Sequence, residues 1–205
     1  MDNTDKLINI FKEFPGIGPR QAKRFVYFLL TRNNGYASEL ARLISEIKSN
    51  VTVCQSCFRF YTKNGSKSDI CPICLDQNRD KSALMIVSHD VDFENVEKTK
   101  FFNGYYFVIG GTIPILEKNP EKRIRQKELL EVLQSRMKTG LKEIIIALSY
   151  NPEGENTLTY LKQILPPFTE KNDVKISTLG RGLSTGTELE YSDSDTIKNA
   201  LKNRQ

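Results

Sequence analysis

Four cysteines, the only ones in the chain, form two closely spaced pairs: Cys54 with Cys57, and Cys71 with Cys74. Each pair has the spacing Cys-x-x-Cys, which makes a tight turn that presents two thiolates to one metal ion. Two such turns supply the four sulfur ligands that hold zinc in closed, tetrahedral structural sites. The pattern therefore predicts one structural zinc ion per chain, with no open coordination position for a substrate.

Two disulfides or a redox-active Cys-x-x-Cys motif are the alternatives to zinc. Redox motifs rarely occur as two matched pairs, and nothing in the sequence marks the chain as secreted. The first residues lack a basic segment leading into an apolar run, and every apolar run is far shorter than the roughly 20 residues of a membrane helix. We therefore expect a cytoplasmic protein without a membrane span, whose thiolates are available to a metal.

The overall composition constrains the function only weakly. A chain of 205 residues with 39% hydrophobic and 27% charged residues can bury one good core, or two small ones with a metal-stabilised module between them. The net charge of +5 is consistent with an anionic partner but decides nothing alone.

A second candidate site lies near the N-terminus, where Phe14-Pro-Gly-Ile-Gly-Pro-Arg20 separates two predicted helices, residues 4–13 and 19–31. A Gly-hydrophobic-Gly turn between short helices is the helix-hairpin-helix pattern. Gly16 and Gly18 permit backbone conformations that side chains resist, and they let the N–H groups of the turn approach a phosphate closely. Those N–H groups lie at the start of a helix, where unpaired donors and the helix dipole favour an anion.

The helix after this turn carries Arg20, Lys23 and Arg24 on one face. The alternative interpretation is a helical hairpin with a solvated charged face. The glycine turn and the basic triplet together favour phosphate binding without sequence specificity, and no element that reads bases is apparent. We therefore assign DNA contact to Gly16, Gly18 and the three basic residues. A third amphipathic helix, residues 36–48, is expected to serve packing.

After the cysteine-rich segment, four short apolar runs alternate with predicted helices. This alternation predicts a four-stranded parallel sheet with helices on its faces. The predicted strands are residues 83–87, 105–109, 143–148 and 173–177, and the predicted helices are residues 91–98, 120–138 and 154–165. The long helix has Asn119 as its predicted cap, Pro120 in its first position and Gly140 just past its end.

Acidic residues follow the first and third predicted strands, at the sheet edge where ligands usually bind. Asp90 and Asp92 follow the first strand, and Glu153 and Glu155 follow the third. Four carboxylates at one edge could hold magnesium through oxygen ligands. We prefer the alternative, in which each acidic residue favours the N-terminus of its own helix. His89, the only histidine, has no assigned role.

A glycine-rich segment, residues 178–187, follows the sheet and precedes a predicted final helix that ends at residue 203. The chain contains no Walker A motif. The predicted class is a multidomain α+β and α/β protein with four regions. They are a helix-hairpin-helix region (1–52), a four-cysteine zinc finger (53–78), an α/β domain (79–177) and a C-terminal glycine-rich loop with a helix (178–205).

In this order the regions resemble the RecR family of bacterial recombination mediators, whose α/β domain is of the Toprim type. The segments that carry the resemblance are residues 14–24, both Cys-x-x-Cys pairs, and residues 103–110, 151–157 and 181–191. The resemblance implies a DNA-repair role without catalysis, in which the protein acts with RecO, and in some settings RecF. Together they load the RecA recombinase onto single-stranded DNA coated by SSB. It also implies ring-like homo-oligomers formed through the N- and C-terminal regions.

The resemblance also implies roles for individual residues. Arg20, Lys23 and Arg24 fall where the family places its DNA-contacting basic residues. The acidic positions of the Toprim-like domain, here Asp92, Glu153 and Glu155, are linked in the family to partner and DNA contacts more than to cutting.

Two features depart from the family pattern. Ser88 stands where Toprim domains have a glutamate. Its presence disfavours the alternative function, a Toprim-type metal-dependent nuclease or primase-like enzyme that uses Asp90, Asp92, Glu153 and Glu155. The loop between the cysteine pairs is longer than usual, which should cost little. A third interpretation is a zinc-stabilised protein-interaction module without DNA contact.

Overall fold

The computed structural model describes residues 2–63 and 68–180, together with residues 194 and 196–198. Residues 181–191, which carry part of the resemblance, and most of the predicted final helix lie outside the described residues. The chain divides into two compact units, residues 1–52 and 53–205. The cysteine-rich segment therefore belongs to the same unit as the sheet. Across the described residues, every helix is too short or too polar to cross a membrane.

The first unit consists of three helices. They are α1 (Asn3–Lys12), α2 (Pro19–Leu30) and α3 (Asn34–Asn50). The hairpin of α1 and α2 is closed by aromatic packing, with the ring centroids of Phe11 and Phe25 5.8 Å apart. Helix α3 starts where the Asn33 side chain accepts the N–H of Tyr36 at 2.9 Å, a typical N-terminal cap. Only Ala22 and Val26, both on α2, are buried in these helices, so the unit has a small core.

The second unit is built on a four-stranded sheet in the order β4-β3-β5-β6, in which all neighbouring strands are parallel. The strands are β3 (Asp80–Val87), β4 (Gly104–Val108), β5 (Glu143–Ala147) and β6 (Lys175–Thr178). The chain returns between them through α5 (Asp90–Thr99), α6 (Gln126–Met137) and α7 (Pro152–Ile164), followed by the short helix α8 (Pro166–Thr169). The predicted four-stranded parallel sheet with flanking helices is confirmed.

The cysteine-rich segment precedes this sheet. Its first pair lies between two short strands, β1 (Val51–Val53) and β2 (Phe60–Thr62), and its second pair begins the one-turn helix α4 (Pro72–Leu75). Residues 64–67, between β2 and α4, are outside the described residues.

Both faces of the sheet are covered by buried side chains, as expected when helices pack on each side of parallel strands. Along β3, Leu84 and Ile86 belong to the larger cluster, which also contains Ile144 and Ile146 of β5. The intervening Met85 and Val87 belong to a second cluster on the other face. The alternation shows that both faces of β3 are packed, and α5 and α7 follow the carboxyl ends of β3 and β5 in the chain.

The prediction of one long helix over residues 120–138 is wrong in its first part. Residues Pro120–Lys122 form a 3-10 turn, and α6 begins only at Gln126. Asn119 does not cap a helix with its side chain. The cause is tertiary: Ile124 is buried in the sheet core, and the N–H of Arg125 donates to the carbonyl of Ile109 at 2.8 Å. These contacts prevent the residues before Gln126 from forming the hydrogen bonds of an α-helix. Gly140, which was predicted to lie just past the end of this helix, follows α6 and has φ +95°, a conformation that favours glycine.

A buried ion pair connects α5 to the start of the sheet. Arg79, just before β3, pairs with Glu97 of α5, and the two side chains are only 9% and 14% exposed. The Arg79 Nη1 atom also donates to the carbonyl of Gly104, the first residue of β4, at 3.0 Å. Burial alone would raise the pKa of Glu97, but the hydrogen bond and charge of Arg79 outweigh it and hold that pKa below its usual value.

We therefore expect a pH-dependent loss of stability in Glu97→Gln. Because the pKa of Glu97 is lower in the folded chain than the unfolded value of about 4.3, the ionised pair stabilises the fold above that pH. This contribution disappears as the pH falls through the folded-state pKa. Glu97→Gln should lower the free energy of unfolding by about 2 kcal/mol at pH 7. Urea denaturation between neutral and acidic pH should show the two curves converging below pH 4 or so. A constant difference at all pH values would contradict this role of the ion pair.

Candidate metal centre and nucleic-acid interface

The four cysteine sulfurs converge on one point. The Sγ atoms of Cys54, Cys57, Cys71 and Cys74 all lie within 4.8 Å of one another, and those of Cys57 and Cys71 are 3.7 Å apart. A tetrahedron with zinc–sulfur bonds of about 2.3 Å has sulfur–sulfur edges of about 3.8 Å. All four are free thiols rather than disulfides. The donor set and its spacing therefore fit a zinc ion, and these residues could hold one as its complete set of ligands.

Backbone N–H groups support the first of these sulfurs. The N–H groups of Ser56 and Cys71 approach the Sγ of Cys54 at 3.4 and 3.3 Å. A metal ligand must be a thiolate, so these donors favour the form that binds zinc.

The first cysteine turn is attached directly to the sheet. The carbonyl of Cys57 accepts the N–H of Val108, at the end of β4, at 2.8 Å. Phe58 has a left-handed backbone, φ 61°, and its ring lies 5.3 Å from that of Phe107. The Nη1 atom of Arg125 donates to the carbonyl of Phe58 at 2.8 Å and to that of Val108 at 2.9 Å. Sequence reasoning missed Arg125, because inside a predicted long helix it gave no signal of this role.

A second arginine lies beside the cysteine cluster. Arg136 of α6 packs over the ring of Tyr105 at 4.2 Å and approaches the hydroxyl of Ser56 at 3.4 Å. Burial lowers the pKa of Arg136, while the nearby cysteine sulfurs act in the opposite direction. A zinc ion with four thiolates would carry two negative charges, and Arg136 is a partly buried cation close to these sulfurs.

Three of the four predicted acidic residues accept a hydrogen bond from another residue of the chain. All four lie in the first turns of α5 and α7. Asp90 accepts the N–H of Phe60 at 2.7 Å, Asp92 accepts that of His89 at 3.0 Å, and Glu153 accepts the hydroxyl of Thr112 at 2.8 Å. Within the part of the chain that the structure describes, the four cysteines are the only group of three or more potential metal ligands this close together. The structure thus does not gather these carboxylates into such a group.

Ser88 lies at the same carboxyl edge of the sheet as these acidic residues. It lies at the end of β3, is 1% exposed, and its hydroxyl makes no hydrogen bond within the described part of the chain. A hydroxyl at this position cannot supply the negative charge of a carboxylate. The region therefore lacks an ionised side chain at the position where the resemblance would place a glutamate.

The two glycines of the helix-hairpin-helix turn have different backbone conformations. Gly16 has φ +75°, a conformation that favours glycine over any side chain. Gly18 has an ordinary extended backbone, with φ −81° and ψ 170°, and a Cβ atom there would meet nothing within 4 Å. Gly18 precedes α2 without a side-chain cap, and Pro19 occupies the first helical position. The fold therefore explains glycine at residue 16 but not at residue 18.

The predicted basic face of α2 is available to a ligand. Arg20, Lys23 and Arg24 are all exposed, and none of them forms an ion pair with another described residue. Ala22 and Val26 face the small core on the opposite side of the helix. The turn and this face together present uncapped N–H groups and three cations to solvent, an arrangement that can bind phosphates.

The zinc assignment predicts a defined effect of losing one ligand. Cys71→Ser should remove most of the bound zinc, since three thiolates and a hydroxyl bind the ion far more weakly. The free energy of unfolding should fall by at least about 3 kcal/mol, a part of the roughly 10–16 kcal/mol that zinc supplies in metal-dependent folds. Elemental analysis and chemical denaturation measure both quantities.

The control for this experiment is Gln55→Ala, which changes an exposed side chain between the same ligands and should keep one zinc ion per chain. Full zinc content in Cys71→Ser, or an absence of zinc from the unmodified protein, would refute the assignment.

Comparison with known proteins identifies the parts of the chain. The RecR helix-hairpin-helix family matches residues 4–48, which include the glycine turn and the basic face. The Toprim domain family matches residues 82–180, and the RecR C-terminal family matches residues 182–205.

Proteins named recombination protein RecR are similar over nearly the whole length. Those of Bifidobacterium longum subsp. infantis and Rippkaea orientalis are each 36% identical, over 98% of this chain and 94% and 95% of their own lengths. That of Prochlorococcus marinus is 35% identical over 97% of this chain and 94% of its own length. With the hairpin, the cysteine cluster and the parallel sheet in the same order, this chain belongs to the RecR family of recombination proteins.

Proposed function

We propose that this chain is a DNA-binding recombination mediator that acts with RecO-type and RecF-type partners. In this role it helps to load a RecA-type recombinase onto single-stranded DNA coated by SSB, and it catalyses no reaction itself. The observation that carries the proposal is the exposed turn and basic face of α2, which can bind a phosphate backbone of any sequence. The names of the relatives support a role in recombination.

The DNA contact rests on two kinds of donor. The first-turn N–H groups of α2 have no side-chain cap at Gly18, so a phosphate oxygen can accept them. Arg20, Lys23 and Arg24 add charge along the same end of the helix. Such contacts position a backbone but carry no base information, which suits a protein that must act on any DNA sequence.

The side chains at the carboxyl edge of the sheet support a role without catalysis. Metal-dependent phosphoryl transfer needs carboxylates that are free to hold magnesium. Here Asp90, Asp92 and Glu153 accept hydrogen bonds from the chain itself, and Ser88 lacks a carboxylate. We propose that Asp92, Glu153 and Glu155 serve this surface as contacts for a partner rather than as metal ligands.

The metal is proposed to be one structural zinc ion, held by all four thiolates. When bound it closes the two cysteine turns and leaves no coordination position for a substrate. Four thiols that remain reduced and metal-bound are typical of a reducing compartment, so we place the protein in the cytoplasm.

We also propose that the chain forms a homo-oligomer through its helical unit. Large apolar side chains are exposed on α2 and α3, among them Leu30, Leu43, Ile44 and Ile47. The last three lie on one side of α3 by helical spacing. Exposed apolar groups of this kind mark interaction surfaces, and a second copy of the same helices would cover them.

The proposal predicts a specific salt dependence. Changing Arg20, Lys23 and Arg24 to alanine should weaken DNA binding and reduce the dependence of its affinity on salt. Because each lost phosphate contact removes about 0.9 from the slope on duplex DNA, three contacts should remove between two and three units or so. Fluorescence anisotropy at several salt concentrations measures the slope.

A matched variant, Lys6, Lys12 and Lys48 to alanine, removes three exposed lysines from the same helical unit. Its affinity and slope should stay close to those of the unmodified protein. If the α2 variant binds as tightly as the unmodified protein, with unchanged zinc content, the hairpin does not contact DNA.

Gly18→Ser provides a sharper test, because it separates folding from binding. Serine is a favourable N-cap, so the fold should be as stable or slightly more stable. The new hydroxyl would accept a first-turn N–H and occupy the space that a phosphate needs, so DNA affinity should fall by about threefold to tenfold. Thermal unfolding and anisotropy together measure the two effects.

Gly16→Ala is the comparison, and it should instead lower the stability by about 1 kcal/mol through backbone strain. Unchanged DNA affinity in a folded Gly18→Ser protein would show that the turn does not approach a phosphate.

A further inference from the structure

We propose that a basic cleft at the carboxyl edge of the sheet is a second contact surface for the DNA phosphate backbone. The cleft has a volume of about 410 Å³ and lies between the end of β4 and the start of α6. Six charged side chains line it: Glu121, Lys122, Arg123, Arg125, Lys127 and Glu128. This inference rests on the proposed DNA binding and adds a surface that is separate from the helical hairpin.

Basic residues outnumber acidic residues in this segment. Residues 118–127 contain five basic side chains and one acidic one. Glu117 and Glu128 flank the segment, so residues 117–128 carry a net charge of +2. A concentration of cations at one cleft raises the local concentration of polyanions.

The backbone that carries these cations is held in place. Ile124 is buried in the core of the sheet, and the N–H of Arg125 donates to the carbonyl of Ile109 at 2.8 Å. The N–H of Lys122 donates to the carbonyl of Asn119 at 3.1 Å. Because the backbone is already ordered, phosphate binding would not have to pay the entropy of ordering it.

Two of the lysines are available to a ligand. Arg125 donates to carbonyls of the chain itself, and Arg123 pairs with Glu117. Lys122 and Lys127 are exposed and make no ion pair with any described residue. They are therefore the residues that would contact phosphates.

The lining favours a nucleic-acid backbone over an acidic protein. The apolar side chains of the cleft, Ile109 and Ile124, are 0% and 6% exposed, so they offer no anchor to a partner. Protein interfaces depend on buried aromatic and apolar anchors at their centre. A phosphate backbone needs only cations. Glu121 and Glu128 also line the cleft and reduce its potential, so its contribution should be smaller than that of the hairpin.

The test compares two double variants of the full-length, zinc-loaded protein. Lys122→Ala with Lys127→Ala removes the proposed contacts. Lys162→Ala with Lys171→Ala removes two exposed lysines elsewhere on the same unit, neither of which makes an ion pair with a described residue. Binding to oligo(dT) and to duplex DNA is measured by anisotropy between about 50 and 200 mM salt. Zinc content and thermal unfolding confirm that the variants fold.

The proposed variant should lose affinity several-fold, and its salt slope should fall by about one unit for each lysine. The control pair should match the unmodified protein. An unchanged salt slope in the Lys122/Lys127 variant would overturn the inference, whatever happens to its affinity. If the cleft instead binds an acidic protein, both the DNA affinity and the salt slope of this variant should be unchanged.

The hairpin variant, measured in parallel, separates this inference from the proposed function. If the hairpin variant loses affinity and the cleft variant does not, DNA binding stands and the cleft inference fails. If neither variant loses affinity, both fail. If both variants lose affinity and slope, both surfaces contact DNA.

Discussion

The second unit depends on the hydrogen bonds that the guanidinium of Arg125 donates to the cysteine turn and to the sheet. One of its nitrogens donates to carbonyls of Phe58 and Val108, which are 50 residues apart in sequence and belong to the cysteine turn and the sheet. Gly110, with φ +88°, leaves room for it, since a Cβ there would lie 3.2 Å from Cζ of Arg125. A buried carbonyl without a donor costs about 1–3 kcal/mol. The four-cysteine module and the sheet therefore stabilise each other, and the cysteine turn helps to hold the carboxyl edge of the sheet.

The sequence was sufficient where local rules decide the structure. The alternation of apolar runs and helices predicted the parallel sheet, because strands covered on both faces are apolar throughout. The spacing of Cys54, Cys57, Cys71 and Cys74 predicted their convergence, because each turn fixes two sulfurs whatever the length of the loop between them. The hairpin followed from Gly16, which needs a left-handed backbone, and from Pro19, which suits a first helical turn.

The sequence was insufficient where distant contacts decide the structure. Residues 120–125 satisfy the local rules for a helix, yet the burial of Ile124 and the carbonyl of Ile109 prevent one. Likewise, the sequence placed Asp90 and Glu153 at one sheet edge but could not show that each has a partner. Those partners, Phe60 and Thr112, are 30 and 41 residues away. Lys122 and Lys127 were overlooked because they lay within a predicted helix, where a solvated charged face is the usual interpretation.

If the chain binds DNA without base recognition, as proposed, weak backbone contacts on more than one surface would have a physical advantage. A single helix with three cations gives little affinity at cellular salt, because the counterions released by each contact are few. Two such surfaces on one chain, where they engage the same DNA, would make the second contact intramolecular and so would raise affinity without base recognition. Further copies of the chain would extend the same effect. Glycine at residue 18, which the fold itself does not require, fits this scheme, since affinity built from small contributions depends on close approach at each one.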